Sequence, residues 1–187
     1  MKRLPALITA AIIALSIASC GDIGPGYTTD TTETIPEGMP VPVEPQDAVI
    51  DEDTEHTCTI TITCAALVDY PDLDPDKQEL VPEDGIILPE TEVTFYEGES
   101  VFNLLRRVCR QNSIHLEFED TPIYNSAYIE GIANLYEFDA GKFSGWLYSV
   151  NGWYPNYGCS RYQLKQGDAV VWEYTTEIGE GQFGISE

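Results

Sequence analysis

The chain has 187 residues, of which 9 are basic and 32 acidic, for a net charge of −23. A field of that sign repels nucleic-acid phosphates and anionic lipid headgroups, which excludes nucleic-acid binding and electrostatic docking on a membrane surface. The length suits one domain with a tether.

The N-terminus has three parts. Lys2 and Arg3 form a positive region, and Leu4 to Ile17 is an apolar run too short for a comfortable membrane span. The run ends in Ile17-Ala18-Ser19-Cys20, which resembles a bacterial lipobox. That pattern implies a signal peptide over residues 1–19 and a Cys20 whose sulfur carries diacylglycerol. The chain is then expected as a lipid-anchored, acylated protein on the outer face of the cytoplasmic membrane. Cleavage before Cys20 removes 19 residues and leaves 168, and losing Lys2 and Arg3 takes the charge from −23 to −25.

Residues 20–56 read as a tether. Stretches such as TTDTTETIPEG and PVPVEPQD combine threonine, proline and acid with few large apolar groups. They bury too little surface to offset their ordering entropy, so a disordered, extended segment is expected. The folded domain is placed at 57–176, and the Gly- and Glu-rich residues 177–187 as a fraying tail.

With Cys20 lipidated, Cys58, Cys64, Cys109 and Cys159 are left, an even number in an oxidising compartment, which favours two disulfides. Cys58 to Cys64 alternates like a strand, holding those sulfurs about 20 Å apart, whereas a bridge needs Cα atoms within about 7 Å. Pairing of Cys58 and Cys64 with Cys109 and Cys159 is expected, in either order. Reduced core thiols are the alternative.

Within the domain, residues 58–64 read as a strand with Ile60, Ile62 and Cys64 on one face. An acidic, Pro-rich excursion runs from Asp69 to about Pro89. Asp72, Asp74, Asp76 and Glu83 fall at positions 1, 3, 5 and 12 of a calcium-loop spacing. Lys77 occupies the position that needs glycine and Pro75 lies inside, so no metal site is assigned. Val93–Tyr96 is a second strand. Ser100 reads as an N-cap opening a helix to about Asn112, with Val101, Leu104, Leu105, Val108 and Cys109 as its buried stripe. Arg106, Arg107 and Arg110 lie toward the other side as a solvated face. His115–Glu119 and Tyr128–Ile132 are short strands. Trp146–Val150 leads into Asn151-Gly152, the pair a type I′ turn requires, and Trp153-Tyr154-Pro155 follows. The turn at Leu164–Asp168 opens a last strand, Ala169–Thr175. Strands, one helix and more strands specify an α+β fold, a small mixed sheet packed on one helix.

The segments YEGESVFNLLRRVC, SAYIEGIANL and SGWLYSVNGWYPNYGCSRYQLKQGDAVVWEYT, in that order, resemble the transcobalamin-like C-terminal domain, the bacterial family related to the smaller domain of the cobalamin carriers transcobalamin and intrinsic factor. The resemblance covers about residues 58–176. It implies a β-grasp-like fold and a ligand face drawn from Trp146, Tyr148, Asn151, Gly152, Trp153, Pro155, Asn156 and Tyr157. In the vertebrate carriers this domain closes over the upper face of a corrin ring held by a helical barrel, and residues 20–56 supply no such barrel.

The residues carry no catalytic constellation. His56 lies in the tether and His115 on a strand, the cysteines are accounted for as bridges, and no carboxylate pair is set apart by an apolar surrounding. A binding protein is expected, requiring no cofactor, with cobalamin or another corrinoid as leading ligand and a membrane transporter as partner. The alternative is a cell-surface module that binds glycan or protein through the same aromatic face.

Overall fold

Threonine alternating with isoleucine and cysteine suits a half-buried pleated strand, and Asp51–Thr63 (β1) is one. Cys58, Ile60 and Ile62 face the core, and Cys64 just beyond continues that face. The structure, a computed structural model, describes residues 35, 37–122 and 125–178. The expected signal peptide, Cys20, the first part of the expected tether up to residue 34 and the tail from 179 lie outside the described residues.

A 3-10 turn at Ala65–Leu67 and the one-turn helix Pro75–Gln78 (α1) occupy the acidic excursion. Asp74 caps that helix by accepting from the Asp76 amide at 2.9 Å, and Pro75 follows as its first residue. Ile86–Glu97 (β2) returns antiparallel to β1. Helix Val101–Gln111 (α2) follows, with the expected stripe buried together with Phe102. Ser100 caps it, and Asn103 closes a reciprocal capping box. Of the basic helix face, Arg107 is not merely solvated. It pairs with the buried Glu99 at 2.7 Å and donates to the Thr94 carbonyl at 2.8 Å.

Leu116–Thr121 (β3), Ser126–Ile132 (β4) and Leu135–Tyr136 (β5) form a three-stranded antiparallel sheet with β4 in the middle. Gly145–Val150 (β6) and Ala169–Thr175 (β7) complete a four-stranded mixed sheet of order β2-β1-β7-β6, in which β1 and β7 run parallel. The fold is α+β, with open sheets and few helices. One core cluster takes residues from β1, α2, β4, β6 and β7.

Two expectations are corrected. Cys58, Cys64, Cys109 and Cys159 form no disulfide. All four are free and buried, each serving as a small core hydrophobe. Desolvation pushes their thiols up from 9.0 to about 12, 11, 12 and 12 respectively, so they are protonated and unreactive at neutral pH. The tether also gives way earlier than residue 56. β1 begins at Asp51, and residues before it are held by side chains of the domain. Proline and acid kept this stretch from reading as structured, yet the side chains that hold it lie 79 to 127 residues further along the chain.

Candidate functional site

β6 ends the four-stranded sheet, and its second neighbour in space is β4 of the other sheet. Between them lies a cavity of about 350 Å³, lined by Ser126–Ile129 of β4, Trp146–Tyr148 of β6, Tyr154–Cys159 and Trp172 of β7. Three consecutive β6 residues cannot all point to one face of a strand. The cavity therefore runs along the free edge of β6.

The turn that delivers the wall is the one the sequence specifies. Asn151 and Gly152 adopt φ of 53° and 78°, and Val150 and Trp153 exchange backbone bonds at 2.8 and 3.0 Å. The hairpin stops there, because Pro155 has no N–H with which to continue a ladder. The strand beside β6 is β7 instead, paired from Gly145↔Thr175 to Val150↔Val170. Freed from the sheet, Tyr154–Cys159 folds over as the outer wall.

That wall is apolar because its polar tips are spent internally. Tyr148 donates its hydroxyl to the Tyr157 carbonyl at 2.8 Å, and Trp146 its indole N–H to the Leu135 carbonyl at 2.8 Å. Tyr154 bonds Glu173 at 2.5 Å, and Tyr128 bonds Glu137. Burial raises the Tyr148 phenol well above 10.0, and burial with the Glu173 carboxylate raises Tyr154 to about 12. The rings are neutral at physiological pH, and they present π faces and apolar edges to the cavity. Such a surface stacks on flat conjugated or sugar-like ligands.

Of the residues expected at a ligand face, Trp146, Tyr148, Pro155, Asn156 and Tyr157 line the cavity. Trp153 stands outside the lining, edge-on to Tyr157 at 6.0 Å. Asn151 and Gly152 also lie outside it. The Asn151 side chain bonds the Asp168 carboxylate at 2.8 Å and the Ala169 amide at 2.9 Å, tying the turn to the start of β7. Leu147, Tyr154, Gly158, Cys159, Trp172 and the β4 residues were not anticipated. Tyr154, Gly158 and Cys159 adjoin the motif and could have been read from it. The β4 contribution depends on two sheets meeting and left no local signal. His115 is exposed at the start of β3, with its ring 6.2 Å from Tyr136. Among the described residues no cluster of three or more His, Cys, Asp or Glu is arranged to hold a metal.

Gly158 is where the walls touch. A Cβ there would come within 2.1 Å of Ser126 Oγ and 2.3 Å of Ser126 Cβ. Ser126 also accepts from the Ser160 amide at 3.2 Å, and Ser160 Oγ accepts from the Ala127 amide at 3.0 Å. Gly158→Ala is expected to lower stability by about 1–3 kcal/mol through overpacking. Ser126→Gly in the same chain should return much of it. Chemical denaturation of the single and double variants measures both, and an additive double variant would refute the contact.

Residues 98–176, less than half the chain, match a family described as a domain of unknown function (DUF4430). The sequence matches no curated protein. Among solved structures, haptocorrin in complex with Cbi is similar with a TM-score of 0.50 at 12% identity, covering 68% of this chain and 27% of haptocorrin. A proposed metal-binding protein from Ruminococcus gnavus ATCC 29149 aligns at 15% identity with a TM-score of 0.37, over 64% of this chain and 96% of its own. The chain spans about a quarter of haptocorrin, and at that identity the likeness is one of fold.

Proposed function

We propose that this is an extracytoplasmic, lipid-anchored ligand-binding module of the transcobalamin-like C-terminal kind, with cobalamin or another corrinoid as its ligand. The observation that carries the reading is the uncharged aromatic cavity along the free edge of β6. The fold likeness to haptocorrin supports it, and so does the motif that places Trp146, Tyr148 and Tyr157 on that cavity. The same reading takes the order β2-β1-β7-β6, with β1 and β7 parallel and α2 following the β1–β2 hairpin, as β-grasp-like. Small-molecule sites occupy about 300–1,000 Å³. At about 350 Å³ the cavity grips one edge or face of a macrocycle and leaves the rest to another surface, such as a transporter. The reading is one of binding: the lining carries no charged side chain, and burial pushes its one thiol, Cys159, up.

Titrating purified protein with cyanocobalamin and cobinamide should shift their visible spectra. Tyr128→Ala, which removes a cavity ring that is already 45% exposed, should weaken binding about tenfold. No spectral or calorimetric response at high micromolar concentration would sink the corrinoid reading. In the same study, Cys20→Ala should move the protein from the membrane to the soluble fraction, and unchanged partition would remove the anchor.

One observation favours a second reading, a glycan- or protein-binding surface, through residues outside the aromatic face first expected to carry it. Phe138 and Phe143 are 59% and 55% exposed in the loop before β6, where the Phe138 amide donates to the Ser144 carbonyl at 3.1 Å and Phe138 holds a φ of 68°. On that reading corrinoids give no response, and Phe138→Ala with Phe143→Ala releases a captured partner.

A further inference from the structure

We propose that residues 38–49 are a clasp that holds the two walls of the cavity in register, with Glu44 as its positioning residue. The inference rests on the cavity being a binding site.

The clasp reaches both walls. On the side of the outer wall, Tyr157, which lines the cavity, donates its hydroxyl to the Pro40 carbonyl at 2.7 Å. The Val43 amide donates to the Arg161 carbonyl at 2.9 Å, and the buried Arg161 guanidinium meets Glu44 Oε1 at 2.5 Å. On the side of β4, Asn125 donates from Nδ2 to Glu44 Oε2 and, at 2.9 Å, to Gln46 Oε1. Asn125 immediately precedes Ser126 and Ala127, the first cavity residues of β4. One carboxylate thus bridges the end of the outer wall to the start of the inner one. Charge-assisted bonds of this kind are the stronger class, and a partly buried site screens them less than open water does.

The segment is fixed at its far end as well. The Val49 carbonyl packs against Gly98, whose φ is +84° and where a Cβ would fall 2.1 Å from that oxygen. Near its other end, the Lys165 ammonium bonds the Gly38 carbonyl at 3.1 Å. A stretch fastened near both ends and bonded to each wall between them holds Tyr157 in place. That ring stacks on Tyr162 at 6.2 Å and meets Trp153 edge-on.

The tryptophans supply a readout that needs no ligand. The chain has three. Trp146 and Trp172 line the cavity, and Trp153 packs on Tyr157. In the full-length protein, Glu44→Ala should red-shift the emission and raise acrylamide quenching while the far-ultraviolet dichroism holds. Glu44→Gln, which keeps one acceptor oxygen, should recover part of both. Cobinamide affinity should fall about tenfold in Glu44→Ala, the scale of one lost charge-assisted bond. If Glu44→Ala does not fold, Glu44→Gln and Tyr157→Phe, which lose one contact each, must show the same shifts in smaller measure. Emission and quenching identical to the parent chain in every folded variant would overturn the clasp. A parent chain blind to corrinoids whose Glu44→Ala variant opens its tryptophans would keep the clasp and remove the corrinoid reading.

Discussion

Trp172→Ala is expected to lower stability by about 3–5 kcal/mol, the range for emptying a large aromatic site in a packed core. Trp172 is 2% exposed, at the centre of the four-stranded sheet. It pairs with Ile62 across the parallel ladder and with Tyr148 across the antiparallel one, its ring 5.5 Å from that of Tyr148. No neighbouring strand can collapse into the space, because β1 and β7 are fixed to one another by backbone bonds on either side. Domains of this size are stable by about 5–15 kcal/mol, so the variant sits near the margin. A thermal melt should drop by about 10–20 °C. Trp172→Phe keeps a ring against Tyr148 and should lose markedly less. A melt within about 1 kcal/mol of the parent chain would show that β7 is not central to the core.

Raising the pH above about 9 should destabilise the protein, and the four buried thiols set the window. In the unfolded chain a thiol titrates near its ordinary value of 9.0, and burial in the folded protein raises it to about 12 at Cys58, Cys109 and Cys159 and about 11 at Cys64. Between those values the unfolded state binds fewer protons than the native state, so stability falls as pH rises. Below about pH 9 the contribution is fully present. Above it, four thiols acting together give a limiting slope of about 5 kcal/mol per pH unit. The buried tyrosines add to the loss, but their unfolded-state titration begins a unit higher, near 10.0. The interval from pH 9 to 10 therefore belongs to the thiols. Denaturation curves at half-unit steps should show the fall, and Cys64→Ala should flatten it. Dithiothreitol should leave the curves unchanged at neutral pH, because no disulfide is there to reduce. A reductant-dependent melt would contradict the free-thiol core.

The elements legible in the sequence share one property: their signals are local. Ser100 and the stripe from Val101 to Cys109 specify α2 to within a residue, because capping and helical periodicity are settled within a dozen positions. Ala169–Thr175 alternates so regularly that its bounds are those read from the chain. Asn151-Gly152 demands its turn for a backbone reason that holds wherever the chain goes next. Cys58 and Cys64 were correctly barred from each other by strand geometry, but their pairing with Cys109 and Cys159 rested on counting, and counting cannot distinguish a bridge from a buried free thiol, which all four are.

What only the tertiary structure decided is which distant segments meet. The turn pairs Val150 with Trp153, but Pro155 and the arrival of β7 beside β6 make Tyr154–Cys159 a cavity wall instead of a strand. Ser126–Ile129 joined the site because two sheets meet edge to edge, and no periodicity within β4 records that. Residues 37–50 look like solvated tether in isolation, being rich in proline and acid. Glu44, Pro40 and Val43 are held only because Arg161, Tyr157 and Asn125 lie in place to receive them. The aromatic identity of the site was thus present in the sequence from Trp146 to Tyr157. Its enclosure was not, because closing a cavity takes contacts whose entropy cost and reward are set by the whole chain.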